Sequence, residues 1–220
     1  MGLFSFLKQP KETGSLFHDN MNYKIFEGEG LFVKTGRNRK IHIESFSEEE
    51  AHSALVASGY EPSSINISRV QFEPPTQEQI QAMRKHGNKI PKNACKIDIS
   101  FLMSKIIEQQ HDPGSKLIEF ATKQKVKFSY FTGEKSLYSC IWNTFDDTEK
   151  IAFYLLCVKK DKTGKWEFDS WESYKKRAET FRNDEKFMNS FKRYLNSGFY
   201  GFTGDTSSRS TNCYKMAVCI

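Results

Sequence analysis

The sequence predicts an α+β protein with a small N-terminal β-β-α-β lobe, a basic helical hairpin and a mainly helical C-terminal lobe. Three observations carry this. Residues 23–72 hold short alternating apolar runs around one capped helix. A proline pair, Pro74-Pro75, then breaks the pattern. Capped stripes at helical spacing dominate after it. At 220 residues, with 38% hydrophobic side chains and 19 Phe, the chain can bury a sizeable core rather than stay disordered.

Four segments are expected: an N-terminal arm over 1–22, the β-β-α-β lobe over 23–73, the hairpin over 74–112 and the helical lobe over 113–220. The arm carries an apolar patch, Leu3, Phe4, Phe6 and Leu7, ahead of polar, Gly-containing sequence. Such a patch folds back on its own domain or frays more often than it docks elsewhere. In the lobe, Tyr23–Phe26, Leu31–Lys34 and Lys40–Ser45 are strand candidates, the last alternating Ile41 and Ile43 with His42 and Glu44. Thr35-Gly36-Arg37-Asn38-Arg39 is a turn by composition. Ser47 and Glu50 form a capping box for Ala51–Ser58, and Gly59 stops that helix. Ile65, Ile67 and Val70 complete the lobe as a last strand.

In the hairpin, Thr76 caps a helix to Lys85, Gln79 completes the box and Gly87 terminates it. Asn88–Ile97 is expected to be extended. Asp98 is the expected cap of a second helix with Ile99, Leu102, Met103 and Ile106 on one stripe. Further on, Ser115 is expected to cap Lys116–Lys125, and Val126–Phe131 alternates like a strand. Lys135–Phe145, Glu149–Lys159, Trp171–Thr180 and Lys186–Leu195 are helices. Ile151–Val158 is apolar enough to be a buried strand as well, and Tyr214–Ile220 is a final strand candidate.

Charge is uneven. Residues 1–74 carry 8 basic and 10 acidic side chains, residues 75–135 carry 11 and 6, and residues 136–220 carry 14 and 11. The excess therefore begins with the hairpin, where Arg84, Lys85, Lys89, Lys92 and Lys96 follow one another with no acid between them. A second cluster, Lys34, Arg37, Arg39 and Lys40, lies around the turn in the first lobe. Both suit a polyanion such as DNA or RNA, though a solvated Lys-rich surface explains charge alone equally well.

Pro74-Pro75-Thr76, Gln79-Ile80, His86-Gly87, Ile90-Pro91 and Phe101-Leu102 resemble stretches of bacterial and phage-type proteins, and the helix–extended-loop–helix form resembles SAP-like modules. The resemblance covers about a sixth of the chain. It implies a nucleic-acid-binding accessory protein in which helix N-termini, loop amides and basic side chains meet phosphates. The alternatives are a protein-interaction module, with the hairpin as packing, and a metal-dependent nuclease built on Asp184 and nearby acids. Gly198-Phe199-Tyr200-Gly201-Phe202 resembles the aromatic strand of RNA-recognition domains. The helical sequence before it lacks their β-α-β-β-α-β order, so aromatic packing is the expectation.

Signals for chemistry are few. Gly28-Glu29-Gly30 has no phosphate-loop context, and Asp184-Glu185-Lys186 sits at a helix start, where acids favour the dipole. Cys95, Cys140, Cys157, Cys213 and Cys219 form no CxxC pair and no metal-ligand spacing with His. No cofactor is expected. Free thiols, the lack of a signal-peptide pattern and the lack of a spanning segment lead to the expectation of a cytoplasmic protein without a membrane partner.

Overall fold

The computed structural model describes residues 20–195, 198–202 and 207–219. The expected arm patch, Leu3 to Leu7, lies outside them. A three-stranded antiparallel sheet stands at the N-terminal side and helices follow, so the α+β class holds.

The sheet comprises β1 (Lys24–Phe32), β2 (Arg37–Ser45) and β3 (Asn66–Val70) in the order β2-β1-β3. The first helix, α1 (Glu48–Ala57), leads from β2 towards β3, so the β-β-α-β order stands. The two expected strands Tyr23–Phe26 and Leu31–Lys34 are one. Gly28-Glu29-Gly30, instead of breaking the run, allows β1 to lie in the centre. A Cβ on Gly28 would come within 1.9 Å of the Asn66 carbonyl oxygen on β3, a distance no side chain tolerates. Ser47 caps α1 by accepting from the Glu50 amide.

Past Pro74-Pro75 come α2 (Gln77–Lys85) and α3 (Lys96–Ile107). Thr76 and Gln79 form the expected reciprocal box on α2, and the chain leaves that helix through Gly87 at φ +71°. The α3 cap differs from the expectation. Its N-cap is Cys95, whose sulfur accepts from the Asp98 amide, and Asp98 is the third helical residue, with its carboxylate turned back onto the Cys95 amide. The helix therefore starts two residues before Asp98. Met83, Ala94 and Ile99, packed against Ile90, Leu102, Met103 and Ile106, form a small core that fixes the hairpin.

The remaining helices are α4 (Ser115–Lys123), α5 (Glu134–Thr144), α6 (Asp147–Thr163), α7 (Trp171–Arg182), α8 (Glu185–Leu195) and α9 (Asn212–Val218). Gly114, not Ser115, is the N-cap of α4. The apolar run Ile151–Val158 is helical. All eight residues are buried because α6 is enclosed on every side, which removes the amphipathic signature that separates helix from strand. The expected final strand at Tyr214–Ile220 is instead α9, capped by Thr211, with Cys213, Tyr214 and Ala217 facing inwards. Among the described residues Val126–Phe131 pairs as a strand only through a single bridge, Ser129 to Met21. Gly133 caps α5 without a side chain, and the Gln110 amide oxygen substitutes by accepting from the Ser136 amide at 3.0 Å.

The main core surrounds α6 and is aromatic. Phe153 stacks on Phe120 at 5.8 Å and meets Tyr138, Phe145 and Phe199. Phe199 is buried among Trp142, Tyr154 and Phe202, so this part of the Gly-Phe-Tyr-Gly-Phe stretch is core packing.

The lobes are tied through residues just inside the expected arm. Asn22 donates to the Val126 carbonyl and accepts from the Phe128 amide. Asn20 donates to Asp98 and to the Asn93 carbonyl. Lys125–Glu50 and Lys127–Glu44 add ion pairs between α1 or β2 and the segment after α4. Residues 20–22 are thus part of the fold.

One ion-pair network gives a pH prediction. Asp161 on α6 accepts two hydrogen bonds from Arg209 and one from Tyr214. The Arg209 bonds, with help from Tyr214, hold its carboxyl below the ordinary carboxylate value. A depressed folded-state pKa contributes stability that is present above the unfolded value, about 3.9, and lost as pH falls through the folded one. Asp161→Asn is therefore expected to destabilise at pH 7 and to flatten the loss of stability below about pH 4. Urea unfolding at pH 7 and pH 3 measures both. An Asn variant losing stability equally at the two pH values would contradict the assignment.

Candidate nucleic-acid interface

The hairpin places its cations around one end. Arg84 and Lys85 occupy the last turn of α2, where positive charge complements the helix dipole, and both are exposed. Lys89 and Lys92 are exposed in the connecting loop on either side of Ile90, whose side chain packs inwards. None of these four forms an ion pair among the described residues. Lys96 is different: its ammonium meets Glu73 at 2.8 Å, and its amide donates to the Glu73 carbonyl.

The second cluster surrounds the β1–β2 turn. Lys34, Arg37, Arg39 and Lys40 are all exposed. The Arg39 guanidinium lies 4.2 Å from the Phe32 ring centroid, and Lys40 stands opposite Glu29 in the strand register. The two clusters are not brought together. The sheet meets the hairpin at its other end, where Tyr23, Phe46 and Phe72 pack with Cys95 and Ile97. The length of β1, about 27 Å, separates that end from the turn.

The helix N-termini offer less than the hairpin form implies. At α2 the box already satisfies the Gln79 and Thr76 amides. At α3 both Cys95 and Asp98 are buried. Asp98 accepts from the Ser129 hydroxyl at 2.6 Å, the Cys95 amide at 2.9 Å and the Asn20 amide at 3.2 Å. This is a structural carboxylate. The remaining feature is side-chain charge at the exposed loop.

Among the described residues, no group of three or more His, Cys, Asp or Glu side chains is placed to hold a metal ion. Asp184 accepts from the Phe187 amide and so caps α8. Burial pushes the Cys95 and Cys140 thiols up to about 11, which leaves both protonated and poorly nucleophilic at neutral pH. No helix among the described residues is long and apolar enough to cross a membrane.

A cleft that the sequence reading missed lies between α3 and α5. Its volume is about 440 Å³, and its walls include Phe101, Ser104, Lys135, Ser139, Asn143 and Tyr200. Its only linear signal is the polar i,i+4 series Lys135, Ser139, Asn143 on α5, opposite the buried Leu137, Tyr138, Ile141 and Trp142.

Comparison of the chain with protein-family models, curated proteins and solved structures finds no match.

Proposed function

We propose that this chain is a non-enzymatic nucleic-acid-binding accessory protein that holds DNA or RNA electrostatically through the α2–α3 hairpin. One observation carries the reading: Arg84 and Lys85 in the last turn of α2 and Lys89 and Lys92 in the loop after it are all exposed, with no acidic partner among the described residues. Four clustered cations repel one another, and a phosphate backbone relieves that repulsion while releasing its own counterions. The resemblance to SAP-like helix–loop–helix modules points the same way. Contacts of this kind position a backbone and do not read bases, so binding is sequence-tolerant. The β1–β2 turn, with Lys34, Arg37, Arg39 and Lys40, serves as a separate, secondary contact. Lys96, already paired with Glu73, contributes less than its place in the sequence implies.

The test is a variant in which Arg84, Lys85, Lys89 and Lys92 are all replaced by Gln. Filter binding at low salt is expected to fall by at least about tenfold for every sequence tried. The melting temperature should hold, because exposed cations contribute little to stability. Lys96→Gln alone should have a smaller effect than Lys89→Gln. Unchanged binding by the fourfold variant would remove the hairpin from the interface.

A further inference from the structure

We propose that the cleft between α3 and α5 receives an unpaired nucleobase, so that the protein prefers single-stranded over duplex nucleic acid; this rests on the nucleic-acid reading above. At about 440 Å³ the cleft falls within the roughly 300–1,000 Å³ typical of small-ligand sites. Phe101 and Tyr200 supply aromatic surface. Neither ring pairs with another among the described residues, whereas Phe199 and Phe202, on either side of Tyr200, both join the core network. Tyr200 is 50% exposed. The Gly-Phe-Tyr-Gly-Phe stretch thus divides its labour: two rings pack inwards and the middle one faces the cleft.

The polar groups fit the edge of a base. Ser104 Oγ, Lys135 Nζ, Asn143 Oδ1 and the Tyr200 hydroxyl have no hydrogen-bond partner among the described residues. Ser139 accepts from Asn143 Nδ2 and keeps its own proton to donate. Donors and acceptors are therefore both present, as a base edge requires. Charge argues against a phosphate here: Lys135 is balanced by Glu108, which also lines the cleft. The Cys140 thiol in the wall is held protonated by burial, so it is a poor nucleophile toward a bound base. Placement fits as well. The face of α3 carrying Ile99, Leu102, Met103 and Ile106 builds the hairpin core, and another face, through Phe101 and Ser104, lines the cleft. One helix thus connects a phosphate-holding turn with a base-holding groove.

The test uses the full chain, an oligonucleotide carrying 2-aminopurine as a single strand, the same sequence as a duplex, and adenosine alone. Wild type should bind the single strand more tightly and quench the 2-aminopurine. Tyr200→Ala should lose about tenfold in single-strand affinity, the scale of one stacked base, and lose the quench. Duplex affinity and the salt dependence should be unchanged, since no phosphate contact is touched. Tyr200→Phe should retain the stacking and most of the affinity. Equal binding of single strand and duplex without quenching would overturn the cleft and leave the hairpin reading standing. Unchanged single-strand affinity in both Tyr200→Ala and Phe101→Ala would overturn it as well. Saturable, Tyr200-dependent binding of adenosine without binding of either oligonucleotide would overturn both the single-strand preference and the hairpin reading. Failure of all three probes to bind would overturn both.

Discussion

Replacing Asp98 with Ala is expected to cost about 3–5 kcal/mol of folding stability, the sum of two stranded buried donors and a lost helix cap. The residue is 1% exposed and collects three hydrogen bonds, from Ser129, Cys95 and Asn20. Its loss leaves the buried Cys95 amide and Ser129 hydroxyl without an acceptor, while Asn20 keeps the Asn93 carbonyl. Stranding a buried donor costs about 1–3 kcal/mol. The capping box of α3 goes with it. Asp98→Asn keeps the shape and one acceptor oxygen, and the Ser129 hydroxyl can turn to accept from the new amide. Stability should therefore order wild type, Asn, Ala in urea unfolding. A cost below about 1 kcal/mol for Ala would mean that the three segments meeting at Asp98 are held by something else.

Phe153→Ala should be comparably severe, about 3–5 kcal/mol, as for large-to-small changes at a fully buried aromatic. Phe153 has no exposed surface and touches the rings of Phe120, Tyr138, Phe145 and Phe199. These come from α4, α5, the end of α5 and the segment before α9, so the cavity opens where the helical lobe converges. Neighbouring rings cannot collapse into it without leaving their own contacts. Phe153→Leu refills part of the volume and should recover more than half of the loss. Equal unfolding midpoints for Ala and Leu would show that ring volume at this point does not govern the core.

Local signals that name their own partner were legible in the sequence. Thr76 with Gln79 forms its reciprocal box as read, whereas at α1 only the Ser47 half forms, since the Glu50 carboxylate meets Lys125 instead of the Ser47 amide. The basic run from Arg84 to Lys92 was legible too, since charge and exposure go together. Features settled by distant parts of the chain were not. Cys95 is an unusual cap, and the preference for Asp98 followed the common chemistry of caps. Its carboxylate is instead engaged by Ser129, thirty-one residues away. Tyr214–Ile220 has the composition of a short strand, and packing of α9 against α6 and α8 makes its part up to Val218 helical. The Gly28-Glu29-Gly30 stretch hid a central strand because the reason for Gly28 is a carbonyl on β3. The cleft needed α3, α5 and Tyr200 together, and no linear pattern joins those three.

The most direct measurement is the dependence of DNA and RNA affinity on salt for the intact chain. If Arg84, Lys85, Lys89 and Lys92 each neutralise a phosphate, log K should fall against log salt with a slope of about −3 to −4. The fourfold Gln variant should lose about that much slope and keep only the smaller part that the β1–β2 turn contributes. Binding with a flat slope in wild type, or no binding at low salt, would contradict the account.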